Sequence, residues 1–126
     1  YIFDDFRKKF VHLSPEEWVR QHLLHYMLRH KNYPKPLIKI EGGLKYNKLQ
    51  KRSDVLVFDR NGKPFLLAEC KSTDIKLDEK TVKQISTYNM KIGARFLLIT
   101  NGMDLYCWER DEKNVKFLKK LPDLPN

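Results

Sequence analysis

Two helical stripes frame the chain. Val19, Leu23, Tyr26 and Met27 recur at helical spacing with Leu24 and Leu28 beside them, an apolar face wide enough to bury against a sheet. Ahead of this stripe, Ser14-Pro15-Glu16-Glu17 offers a capping hydroxyl, a proline suited to the first helical position, and acids at the positive end of the dipole. A helix is therefore predicted from there to about His30. A second helix is expected to start between Asp74 and Asp78, to bury Val82, Ile85, Asn89 and Ile92, and to stop near Gly93. Strand-like runs occupy the rest: Leu37–Glu41, two runs between Arg52 and Ser72, Arg95–Thr100, Asp104–Trp108 and Val115–Leu118. Gly42-Gly43 reads as a turn, Leu44–Lys51 as a basic polar connection, and Asn101-Gly102 as a hairpin turn. Tyr1–Leu13 has no clear period, and its Phe3, Phe6 and Phe10 are expected to pack on the body. There are no repeats and no internal linker.

The stretch RSDVLVFDRNGKPFLLAECKS, Arg52 to Ser72, holds the strongest local signal. Asn61-Gly62 between apolar runs predicts a two-residue type I′ hairpin turn, which requires positive φ at both positions. That turn sets Arg60 opposite Lys63, Asp59 opposite Pro64 and, counting outward, Asp54 opposite Glu69. Lys71, two residues beyond Glu69, falls on the same face. Leu56, Phe58, Phe65 and Leu67 are assigned to the carboxylate side, with Val55, Val57, Leu66 and Ala68 on the other. Strands apolar on both faces belong in the middle of a layered α/β sheet. Directly opposed like charges are destabilising, so the Asp54/Glu69 pair calls for a reason.

The order helix, three strands, helix, strand and trailing hairpin predicts a mixed sheet flanked by helices, and 126 residues fit one domain. Lys and Arg outnumber Asp and Glu by 25 to 16, a net charge of +9, which points to a polyanionic partner. No apolar run approaches the roughly 20 residues of a membrane span, and the acidic, aromatic opening is unlike a signal peptide. Cys70 and Cys107 sit in strand-like runs without metal-ligand spacing, so they read as reduced core thiols of a cytoplasmic protein. Gly42-Gly43 lacks the lysine and hydroxyl of a phosphate loop. His12, His22, His25 and His30 form no ligand pattern, and Tyr106 and Trp108 alternate like ordinary strand residues.

Asp54 followed by Glu69-Cys70-Lys71 resembles the D…ExK signature of the PD-(D/E)XK, or restriction-endonuclease-like, nuclease superfamily, and Gln84-Ile85-Ser86-Thr87-Tyr88 is similar to the QxxxY motif of its following helix. Within that superfamily the chain most resembles the N-terminal nuclease domain of type I restriction enzyme R subunits. The resemblance is carried by Pro15–Gln21, Arg52-Ser53-Asp54, Pro64, Glu69-Cys70-Lys71, the Gln84/Tyr88 helix and Thr100-Asn101-Gly102. Ser53 stands where the superfamily signature has proline, and the 126 residues themselves hold no motor domain.

The resemblance implies an αβββαβ core and a magnesium-dependent DNA endonuclease, with manganese as a substitute and with DNA and other restriction-system subunits as partners. It implies that Asp54, Glu69 and the backbone carbonyl of Cys70 hold the metal and that Lys71 serves the attacking water. A glutamate of the first helix joins them, Glu16 being the choice and adjacent Glu17 remaining open. Gln84 and Tyr88 would contact the phosphate backbone or hold Lys71. The physics of the pair agrees: two facing carboxylates need a proton or a cation between them, and magnesium asks for only one or two carboxylates. The rival reading is a nuclease-fold module without turnover that binds DNA or docks a partner, with salt-sensitive and metal-independent binding.

Overall fold

The computed structural model describes residues 1–4, 6–42, 53–110, 116–118 and 120–125, and for Glu41, Gly42, Ser53, Asp54 and Lys116 it describes the backbone. The expected turn at Gly43, the Leu44–Lys51 connection, Arg52 and Val115 lie outside the described residues. In order, the elements are β1 (Ile2–Asp4), β2 (Lys9–Val11), α1 (Pro15–Arg29), a 3₁₀ turn (Lys35–Leu37), β3 (Ile38–Gly42), β4 (Ser53–Phe58), β5 (Pro64–Cys70), α2 (Glu79–Ile92), β6 (Phe96–Thr100), β7 (Leu105–Glu109) and β8 (Lys116–Leu118). The architecture is mixed α/β. Strands β3 to β8 form a six-stranded sheet in chain order, antiparallel throughout except for the β5–β6 pair, which is parallel. α2 is the crossover that a parallel pair requires.

The helices start where their caps dictate. Ser14 Oγ accepts from the Glu17 amide at 3.1 Å with Pro15 in the first turn. Asp78 caps α2 through a reciprocal box with Thr81, and α2 ends on Gly93 at φ +81°. Each helix covers one face of the sheet. Val19, Leu23, Leu24 and Met27 of α1 pack with Val55, Val57, Leu66, Ala68 and Leu98. On the other face Ile85 of α2 joins Leu56, Leu67, Leu97, Ile99 and Trp108. Tyr26, expected in the α1 stripe, is largely exposed, because the buried face of α1 is centred on Val19, Leu23 and Met27 with Glu17, Arg20 and Gln21 also buried.

The hairpin between β4 and β5 differs from the expected turn. Its loop has three residues, Arg60–Gly62: the Asp59 amide donates to Lys63 O at 2.8 Å, and Gly62 alone takes positive φ. The Asp59 carboxylate accepts from the amides of Asn61 and Lys63, both at 2.9 Å, and so favours this local turn over type I′. A three-residue loop displaces the pairing by one. A bulge then displaces it back, since Phe58 pairs with Pro64 but Val57 pairs with Leu66, leaving Phe65 as the extra residue. The bulge turns Phe65 away from its assigned face. Its ring packs instead between Tyr33 (6.4 Å) and Phe96 (5.2 Å) in the core under α1.

β1 and β2 form a separate two-stranded hairpin that the aromatic and charge pattern does not disclose. Buried Asp4 organises it, accepting from the Phe6 amide at 2.8 Å and from the Arg7 guanidinium.

Candidate active site

The register of β4 on β5 sets Asp54 directly opposite Glu69 and Ser53 opposite Cys70. β3 adds Glu41 opposite Asp54. Three adjacent strands, from the edge strand β3 inward, thus carry an acid at one level, Glu41–Asp54–Glu69, followed by Ile99 and Tyr106 on β6 and β7. Glu41 escaped sequence reasoning because the residues between β3 and β4 are too many for a turn to fix the pairing. The strand itself was legible, but its register was not.

Glu69 is only 3% exposed. Alternation from Leu67 puts it on the α2 side of the sheet, where its Oε2 lies 3.8 Å from Lys71 Nζ. Lys71 follows the end of β5, and its amide donates to Thr100 O at 2.8 Å, which continues the parallel ladder by one step and holds the lysine at the sheet end. Cys70 points to the opposite face and is a buried free thiol, as is Cys107. Burial pushes the Cys107 thiol up to about 12, in keeping with a thiol packed in the core.

The remaining candidates are spread around this centre. Gln84 is exposed on α2, while Tyr88 is half-buried against the α2-side core. α2 runs antiparallel to β5 and β6, so Gln84 stands nearer the Glu69 end than Tyr88 does. Glu16 is half-buried at the start of α1, on the helix that covers the other face. Its neighbour Glu17 is 4% exposed and fully engaged. Oε1 accepts from Arg7 Nη2 at 2.6 Å and from Arg20 Nη2, and Oε2 accepts from Arg20 Nε and Gln21 Nε2, each at 3.1 Å. Burial alone would raise the Glu17 pKa, but the hydrogen bonds from Arg20 and Arg7 prevail and hold it at about 2. A carboxylate saturated by cationic donors has little left to offer a metal, whereas Glu16 is not tied into this cluster.

No group of three or more His, Cys, Asp or Glu side chains among the described residues is arranged to hold a metal ion, and the Glu41 and Asp54 side chains lie outside that set. No helix among the described residues is long and apolar enough to cross a membrane.

The family described as type I restriction enzyme R protein N terminus matches residues 15–125. The chain belongs to this family. The match starts at the first residue of α1 and runs through the whole six-stranded sheet, so the Asp54/Glu69/Lys71 level of this type I R protein N terminus falls within it, and the β1–β2 hairpin precedes it. No curated protein and no solved structure matches the chain.

Proposed function

We propose that residues 1–126 form a single restriction-endonuclease-like domain that hydrolyses DNA phosphodiester bonds with magnesium, manganese serving as a substitute. The observation that carries this reading is the pairing of Asp54 with Glu69, with Lys71 Nζ 3.8 Å from the Glu69 carboxylate, in a member of a restriction-enzyme family. The element order α1, β3, β4, β5, α2, β6 supports the αβββαβ core.

The donor set suits a hard cation. Glu69 is a buried carboxylate at a level where a second acid stands opposite, and Lys71 Nζ at 3.8 Å offsets part of its charge. Asp54, Glu69 and the Cys70 carbonyl would hold the magnesium, with Glu16 as the helix acid. When bound, the ion supplies Lewis-acid polarisation of the phosphoryl oxygen and acidifies water. Lys71 is half-exposed and anchored through its backbone, so its ammonium orients the attacking water and neutralises charge on the phosphate. Gln84, exposed on α2, contacts the phosphate backbone, and Tyr88 braces the helix that carries it. A net charge of +9 favours the DNA polyanion and makes binding fall with salt. Other subunits of a restriction system are the expected partners.

The test is cleavage of DNA by wild type, Asp54→Ala and Glu69→Ala with and without magnesium. Both variants should lose magnesium-dependent cleavage while retaining most of their DNA affinity. Undiminished cutting by both removes the assignment, and wild-type binding with no metal-dependent turnover identifies a binding module instead.

A further inference from the structure

Trp18 is the feature of α1 that neither the core nor the acid pair uses. It is 43% exposed, whereas the other tryptophan, Trp108, is 1% exposed. Its ring pairs with His22 one turn on, at 4.2 Å between centroids and 45° between planes. The Trp18 carbonyl accepts from His22 Nδ1 at 2.9 Å, so Nδ1 carries a hydrogen and the imidazole is held in place.

Two turns from other parts of the chain bring this aromatic pair to the Lys71 end of the sheet. A Cβ on Gly102 would meet Val19 at 3.3 Å and both Trp18 Cζ3 and Thr73 Cγ2 at 3.4 Å. Gly102 therefore lets the start of α1 close against the turn after β6 and against Thr73, only two residues beyond Lys71. Thr100, on that same turn, accepts the Lys71 amide. Beside His22 a cleft of about 330 Å³ opens, lined by His22, Tyr26, Thr100 and Lys120 together with apolar Val19 and Leu121. That volume is at the lower end for small-ligand sites. Aromatic faces, an apolar lining and a lysine together suit a flat heteroaromatic ring attached to a phosphate.

We infer that Trp18 and His22 form a nucleobase-stacking site beside the Lys71 end of the sheet, which takes an unpaired base of the strand presented for cleavage. The inference rests on the reading of nucleic acid as the substrate. Bases inside a duplex do not expose their faces, so the site selects single-stranded or locally unpaired DNA. Stacking is indifferent to base identity, and the site therefore sets strand form and not sequence.

The experiment titrates the 126-residue chain in EDTA with a short oligodeoxythymidine and with a blunt duplex of equal length, reading tryptophan fluorescence and anisotropy. The single strand should quench the wild type, and the quenching should vanish in Trp18→Phe, where only buried Trp108 reports. Trp18→Ala should weaken single-strand binding roughly 5- to 150-fold, His22→Ala should weaken it less, and Trp18→Phe should keep most of the affinity. Circular dichroism confirms folding. Quenching that persists in Trp18→Phe, a wild type that is not quenched, or wild-type affinity in folded Trp18→Ala and His22→Ala overturns the inference. The nuclease reading fails separately: if Asp54→Ala and Glu69→Ala cut like wild type while Trp18-dependent quenching is present, the stacking site stands without it.

Discussion

Glu17 gives the sharpest quantitative test of the forces around the start of α1. Its carboxylate is buried, bonded by Arg7, Arg20 and Gln21, and held at about 2 against an ordinary value of 4.5. At about 1.4 kcal/mol per tenfold change in proton affinity, that difference contributes about 3 kcal/mol to stability at neutral pH. Because the folded pKa is depressed, the contribution is complete above the unfolded value of 4.5 and is lost as pH falls through about 2. Glu17→Gln keeps the shape but removes the charge and leaves the Arg20 guanidinium, nearly buried, without its countercharge. The variant should therefore be less stable than wild type by about 3 kcal/mol or somewhat more near pH 6, since breaking a buried pair costs about 3–5 kcal/mol. The pH-dependent part of the gap should shrink to less than half near pH 3, about 1.4 kcal/mol by linkage. Urea unfolding of both proteins, followed by circular dichroism from about pH 6 down to about pH 2, measures the gap directly. A gap that is independent of pH, or smaller than about 1 kcal/mol near pH 6, would refute the ion network as a source of stability.

Further outcomes follow from single contacts. Gly102→Ala places a side chain at φ +88° and 3.3 Å from Val19, and should destabilise the chain by about 1–3 kcal/mol in the same urea assay; an unchanged midpoint would mean that α1 does not close on this turn. Asp59→Ala removes the acceptor for two loop amides and should cost about 1 kcal/mol, with a neutral result showing that the loop holds its form without the carboxylate. Cys70 and Cys107, both buried, should resist an aromatic disulfide reagent near pH 8 until denaturant is added, and prompt labelling of the native chain would contradict their burial.

Much of the layout was legible because it depends on local chemistry. Ser14-Pro15 and Asp78 mark helix starts by capping, Gly93 marks a stop by its positive φ, and Val55–Val57 with Leu66–Ala68 read as a strand pair buried on both faces. The Asp54–Glu69 pairing was also expected, but on a two-residue turn that does not occur. The Asx-bonded loop and the bulge at Phe65 offset each other, and neither has a periodicity that could announce it. Other features depend on tertiary partners. Asp4 and Arg7 become structural only through burial against Glu17. Strands of three residues such as β1 and β2 are too short to show alternation. Glu41 enters the acidic level through pairing across a long connection.

The compensation in the β4–β5 hairpin makes loop length and strand pairing a single count. Straightening Phe65 while Arg60–Gly62 stays a three-residue loop would slide β5 by one position and, since strand side chains alternate, present Glu69 to the α1 face and Cys70 to the other. A loop that tightened to two residues as the bulge straightened would leave the acids aligned. The solvent-exposed tip, which would ordinarily be regarded as freely variable, is therefore coupled to the kink in β5 wherever the spacing between the two acids is kept. Homologues with that same spacing should pair either a two-residue tip with a straight β5 or a three-residue tip with a kinked one.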